Sequence, residues 1–119
     1  MEVINIEKLN AEIGRFIEER DWDQFHSIKN LSMALSVESS ELVEIFQWLS
    51  EDKSNTVSED PKLKAKVEEE LSDIFIYLLR IAKKSGVDLE SSVLSKIKRN
   101  SEKYPVDKAR GSAKKYNEL

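Results

Sequence analysis

Leu31-Ser32-Met33-Ala34-Leu35-Ser36-Val37-Glu38-Ser39-Ser40-Glu41-Leu42-Val43-Glu44-Ile45-Phe46-Gln47-Trp48 is the stretch whose reading decides the fold. At about 100° per residue its apolar positions cover an arc from Val37 and Trp48 round to Phe46, and Glu38 falls near the middle of that arc with Glu41 inside it. The mismatch recurs downstream, where Glu70-Leu71-Ser72-Asp73 leads into Ile74-Phe75-Ile76-Tyr77-Leu78-Leu79. There Glu70 stands at the edge of the apolar arc, with Asp73 and Tyr77 on the same flank. Carboxylates aimed at a core are costly unless something compensates them, and Lys and Arg lie mostly on other faces. A bound cation is the simplest compensation.

Working outward, residues 6–20 carry Ile6, Leu9, Ile13, Phe16 and Ile17 at helical spacing, with Asn5 as N-cap. Arg20-Asp21-Trp22-Asp23-Gln24-Phe25-His26-Ser27 breaks the period and crowds two aromatics and the only His into a connection. The second helix is expected over 28–49, followed by a polar surface loop over 50–59. Asp60-Pro61 opens a third helix that runs to Lys84 and is stopped by Ser85-Gly86. Asp88 caps a fourth, with Leu89, Val93, Leu94 and Ile97, ending near Tyr104-Pro105; residues 106–119 form a basic, polar tail. Four helices, short connections and no strand pattern predict one all-α domain over 1–119, a four-helix bundle. On the third helix the apolar arc runs from Ile81 through Leu78 and Phe75 to Leu79 and Ile76, about twice the stripe one packing face needs. That excess predicts a homo-oligomer, a homodimer or a homotetramer built as a dimer of dimers.

Composition excludes several classes. With 39% hydrophobic and 35% charged residues but only 3 Gly and 2 Pro, the chain suits a small helical core better than a sandwich or barrel. The absence of Cys removes disulfides and thiolate metal sites. No basic-then-apolar leader and no membrane-spanning apolar run is present, so a cytoplasmic location away from membranes is expected. A net charge of -4 argues against a nucleic-acid polymer as partner, yet leaves room for a small phosphorylated ligand.

Residues three apart on a helix project side by side, so Glu38 with Glu41, and Glu70 with Asp73, each form a two-carboxylate clip. On neighbouring helices the clips would make a hard oxygen site suited to Mg²⁺ or Mn²⁺. Glu44, Glu68 and Glu69 read as solvated. On the fourth helix Asn100 shares a face with Leu89, Val93 and Ile97, and Lys96 sits at its margin; an amide and an ammonium there suit a sugar and phosphates. Arg110 and Lys114, four apart in the tail, could clamp a phosphate. Trp22, Phe25 and His26 offer flat surfaces for stacking on a base or for covering the core. A di-iron bundle would need Glu-x-x-His pairs, and the only His lies in a connection. A non-catalytic helical adaptor gives no reason to place Glu38 on a core face.

The order Glu-x-x-Glu, then Glu-x-x-Asp on a later helix, resembles the all-α nucleoside triphosphate pyrophosphatases of the MazG-like superfamily. Arg20-Asp21-Trp22-Asp23-Gln24-Phe25-His26, Glu44-Ile45-Phe46-Gln47-Trp48, Glu69-Glu70-Leu71-Ser72-Asp73-Ile74, Lys103-Tyr104-Pro105-Val106 and Arg110-Gly111-Ser112-Ala113-Lys114-Lys115-Tyr116 resemble its dCTP pyrophosphatase branch. The likeness covers residues from about 9 to 116. Ser39-Ser40 departs from it, since relatives often carry small or apolar residues there. The resemblance implies hydrolysis of a nucleoside triphosphate to the monophosphate and pyrophosphate, with Mg²⁺ held by Glu38, Glu41, Glu70 and Asp73 and a water oriented by Glu38 or Glu41. It places Trp22 and His26 near the base, Tyr77 and Asn100 near the sugar and α-phosphate, and Lys96, Arg110 and Lys114 near the phosphates. Trp48 joins the substrate-binding set. The family is oligomeric, with sites at subunit contacts.

Overall fold

The computed structural model describes residues 2–119, and among them it contains helices and turns but no strand. Contacts divide the chain into two compact units, Met1–Ser85 and Gly86–Leu119. The first holds α1 (Ile6–Glu19), α2 (Ile28–Phe46), a short α3 (Glu51–Ser54) and the long α4 (Pro61–Ser85). The second holds α5 (Leu89–Lys103) and a short α6 (Val106–Ala109).

Helix starts follow the capping residues. Asn5 accepts from the Lys8 amide, Ser27 from Asn30 and Asp88 from Ser91, each at 3.0 Å. Asp60 Oδ1 accepts from both Lys62 and Leu63 at 3.2 Å, ahead of the first-turn Pro61. Gly86, at φ +67°, ends α4 in the left-handed region that favours glycine. The end of α1 is made differently. Asp21 takes φ 51°, its amide donates to Glu18 O at 3.1 Å, and the Trp22 amide donates to Ile17 O at 3.0 Å. These are the paired bonds of a Schellman stop with an aspartate in the usual glycine place. The apolar contact that accompanies such stops is Trp22 edge-on to Phe16, ring centroids 5.6 Å apart.

α2 and α4 form the main helix pair, and α1 also packs on α4. Asp23, just before α2, meets Arg80, whereas Ile45 shares a cleft with Leu63, so rising numbers on α2 match falling numbers on α4 and the two run antiparallel. Ile17, Leu31, Leu79 and Ala82 are buried where the three helices meet. Removing a side chain such as Leu31 or Leu79 from water contributes about 1.5–3 kcal/mol.

Two expectations change. The segment 50–59 is not a plain loop but holds α3 and the 3₁₀ turn Val57–Glu59. Ser50 Oγ caps Lys53, and the hydroxyls of Ser54 and Thr56 donate to Glu51 O and Lys53 O, so local polar bonds build turns without an apolar stripe. The tail likewise contains α6 and the 3₁₀ turn Tyr116–Glu118, where Tyr116 meets Tyr104 edge-on at 6.2 Å and Lys103 Nζ lies 5.0 Å from its ring centre. The apolar face expected on α5 is covered only at Leu89: Val93, Leu94 and Ile97 are exposed, and so is Asn100.

Candidate active site

Glu38 and Glu41 on α2 and Glu70 on α4 each bring one carboxylate oxygen within 4.8 Å of the other two. On Glu38 and on Glu70 the Oε2 atom is shielded from water and has no hydrogen-bond partner. Among the described residues, no ion pair involves any of the three, or Asp73. Burial first, then the neighbouring Glu41 and Glu70 carboxyls and the charge of Asp73, push Glu38 up to about 7. Glu70 is raised too, by burial first and then chiefly by Glu41. Converging oxygens with unused lone pairs and no cationic side chain suit a hard divalent ion. Ser39 and Ser40 take no part, because their hydroxyls donate back to Leu35 O and Ser36 O within α2.

Asp73 is outside the converging trio. It lines a cavity of about 640 Å³ together with Tyr77, Phe16, Trp22, His26 and Arg80. That volume lies within the range of small-molecule sites. Burial, then the charges of Glu38, Asp73 and Glu41, raise the Tyr77 phenol, which therefore stays protonated. His26 moves the other way: burial first, then Arg80 and Lys84, lower it, and only Asp23 opposes them, so its imidazole is neutral near pH 7. The guanidinium carbon of Arg20 lies over the Phe16 ring, 3.8 Å from its centre. A second opening, about 500 Å³, is bordered by Glu41, Glu44, Glu69, Glu70 and Lys66. Glu44 and Glu69 are exposed, as solvated residues should be, but they edge this cleft.

The other expected residues are distributed differently. Trp48, in the turn after α2, is 89% exposed and lines neither opening; Phe25 is exposed and lines neither. Lys96 and Asn100 on α5, Arg110 after α6 and Lys114 in the tail belong to the second unit. Spacing did not reveal three participants in the cavity wall and its support. Phe16 reads as one of the apolar positions of the first helix, and nothing in the spacing singles out Arg80 or Asp23. Arg80 Nη2 donates to Asp23 Oδ1 at 2.6 Å across 57 positions, a pairing that helical periodicity cannot signal.

Comparison with known proteins gives a consistent result. A pyrophosphatase from Archaeoglobus fulgidus, known from its crystal structure, superposes with a TM-score of 0.78 at 36% identity, covering 88% of this chain and 96% of that one. The dCTP pyrophosphatase 1 of Mus musculus is 46% identical over 115 residues, and that of Homo sapiens 44%, in each case over 97% of this chain. The chain spans 66% of the length of these curated relatives. A family model described as MazG-like matches residues 33–119, which include the Glu38-x-x-Glu41 and Glu70-x-x-Asp73 pairs. On that match and that fold, the chain belongs to the MazG-like family.

Proposed function

We propose that this chain is a Mg²⁺-dependent nucleoside triphosphate pyrophosphohydrolase, with Mn²⁺ as a substitute, that converts a deoxynucleoside triphosphate and water to the monophosphate and pyrophosphate. The observation that carries the reading is the meeting of Glu38, Glu41 and Glu70, two of them with a shielded, unpartnered oxygen. Asp73 ties that group to the aromatic cavity, since its charge acts on Glu38 while its side chain lines the cavity. The names of the relatives favour dCTP as substrate, and the proposed range takes in its 5-modified forms.

Glu38, Glu41, Glu70 and Asp73 would hold the cation, which when bound neutralises charge developing at the α-phosphate. Glu38 or Glu41 orients a water in line with the α-phosphorus and accepts its proton as the bond to the bridging oxygen opens and pyrophosphate leaves. Trp22 and His26 receive the base, and the neutral imidazole offers one donor and one acceptor. Tyr77 and Asn100 serve the sugar and α-phosphate, and Lys96, Arg110 and Lys114 the phosphates. Residues 1–119 act as one functional domain in this reading. Trp48, which lines neither opening, serves substrate only in an assembly of copies, and the proposed assembly is a homodimer or a dimer of dimers.

Pyrophosphate release from a panel of triphosphates, with Mg²⁺ and with chelator, tests the reading. Release that is chelator-sensitive and fastest with dCTP or its 5-modified forms is expected. The cavity wall is largely apolar and aromatic, which favours stacking over reading of the base edge; equal rates for dCTP, dATP and dGTP would establish a broad-range pyrophosphatase instead. No release from any triphosphate would leave a helical interaction module.

A further inference from the structure

We propose that Asp23 is a positioning residue: it clamps the 20–27 connection onto α4 and so holds Trp22 and His26 in the wall of the cavity. The role in nucleotide binding rests on the reading of that cavity given above. Asp23 Oδ1 accepts from Arg80 Nη2 at 2.6 Å and lies 2.9 Å from Lys84 Nζ. Lys84 Nζ also donates to the carbonyl of His26 at 2.6 Å. The two hydrogen bonds span 57 and 58 positions, whereas every other side-chain hydrogen bond among the described residues joins positions no more than five apart.

Local bonds fix the shape of the connection but not its place. Gln24 donates to Asp21 O and Oδ2, and Asn30 Nδ2 donates to Phe25 O, all within the segment or its adjoining helix turn. Among the hydrogen bonds and ion pairs of the described residues, only those of Asp23 and His26 tie it to α4. The two cations are sheltered, Arg80 at 14% and Lys84 at 25% exposure, while Asp23 is 63% exposed. The carboxylate therefore comes from the solvent side onto two charges already seated on α4. An isolated exposed ion pair contributes little, but a charge-assisted hydrogen bond from Arg80 together with the Lys84 ammonium close to the same oxygen sets a direction as well as an attraction. Trp22 precedes that anchor by one residue and His26 follows it by three, so both ride on it.

The test uses the full chain with Mg²⁺ and dCTP. Asp23→Ala and Asp23→Asn should raise KM roughly ten-fold and leave kcat within about two-fold, because ordering for binding is lost while the carboxylate cluster is untouched. Asp23→Glu, which keeps the charge, should restore most of KM. Amide hydrogen exchange in Asp23→Ala should quicken over residues 22–27 and stay unchanged in the middle of α2 and α4. Unchanged KM with unchanged exchange over 22–27 would overturn the proposal. So would a fall in kcat at constant KM, or a uniform loss of protection, which marks a merely structural pair. If the unaltered chain hydrolyses no triphosphate, the reading of the cavity fails, and exchange over 22–27 decides the clamp by itself.

Discussion

Glu38 is the residue at which charge and burial conflict most. Glu38→Gln keeps the shape of the side chain and removes one negative charge, so pyrophosphate release should fall by roughly 100-fold or more while the fold persists. Without cation, the same variant should melt at an equal or higher temperature, because one of the mutually repelling acids is gone. A structural ion pair would instead lose stability, and a solvated glutamate would change neither quantity. The pH dependence follows with a definite sign. Glu38 goes from 4.5 to about 7 on folding, so between those values the folded chain holds more proton than the unfolded one. The Glu38 contribution to the stability of the cation-free chain is therefore greatest at the acid end of that window and declines as pH rises through it, while His26, lowered on folding, contributes in the opposite sense below its ordinary 6.5. Asp23 works oppositely, lowered by Lys84 and then Arg80, but its contribution is lost only as pH falls below 3.8, outside the window. Melting curves from about pH 5 to about pH 8 should show the unaltered chain losing stability relative to Glu38→Gln as pH rises, the His26 contribution being common to both. Mg²⁺ should restore stability at the alkaline end by binding the folded form.

The elements were legible to different depths. Asn5, Asp60-Pro61, Gly86 and Asp88 announced four helix ends because each acts on its own backbone within a few positions. Glu38, Glu41 and Glu70 were legible for a related reason: a helical period exposes an acid on the wrong face without knowledge of the partner helix. The stop of α1 was legible as a break in the apolar period at Arg20, but the left-handed Asp21 that makes it was not, since that position is commonly announced by glycine. The meeting of Asp23 with Arg80 and Lys84 was illegible, because nothing in local spacing relates residues so far apart. α1 itself offers an elemental test. Gly14 lies inside it, and a Cβ built there meets nothing within 4 Å. Gly14→Ala should accordingly raise stability by about 0.5–1 kcal/mol, through helix propensity alone, and leave pyrophosphate release unchanged. Denaturant midpoints measure the gain; a loss would mean that α1 is crowded at that turn.

At the scale of the whole molecule, apolar surface exceeds what a lone chain needs. Leu71 is 50% exposed, Leu78 37% and Ile76 39% on α4, and Met33 52% and Val37 57% on α2, against a buried core, among the described residues, of Ile17, Leu31, Leu79 and Ala82. Faces of that kind on a monomer are normally covered by something, and a second copy is the partner that is always present. Light scattering at micromolar concentration should return the mass of a dimer or tetramer, and the melting temperature should fall on dilution. A monomer mass would refute the assembly. The placement of the two tryptophans has an optical consequence. Trp48 stands almost free in water, while Trp22 lies edge-on to Phe16 in the cavity wall. Their fluorescence should thus divide the labour: association shifts the emission of Trp48 to shorter wavelength, and an arriving base quenches Trp22. In Trp48→Phe the remaining signal belongs to Trp22 alone, and the chain carries its own dye for the occupancy of the cavity.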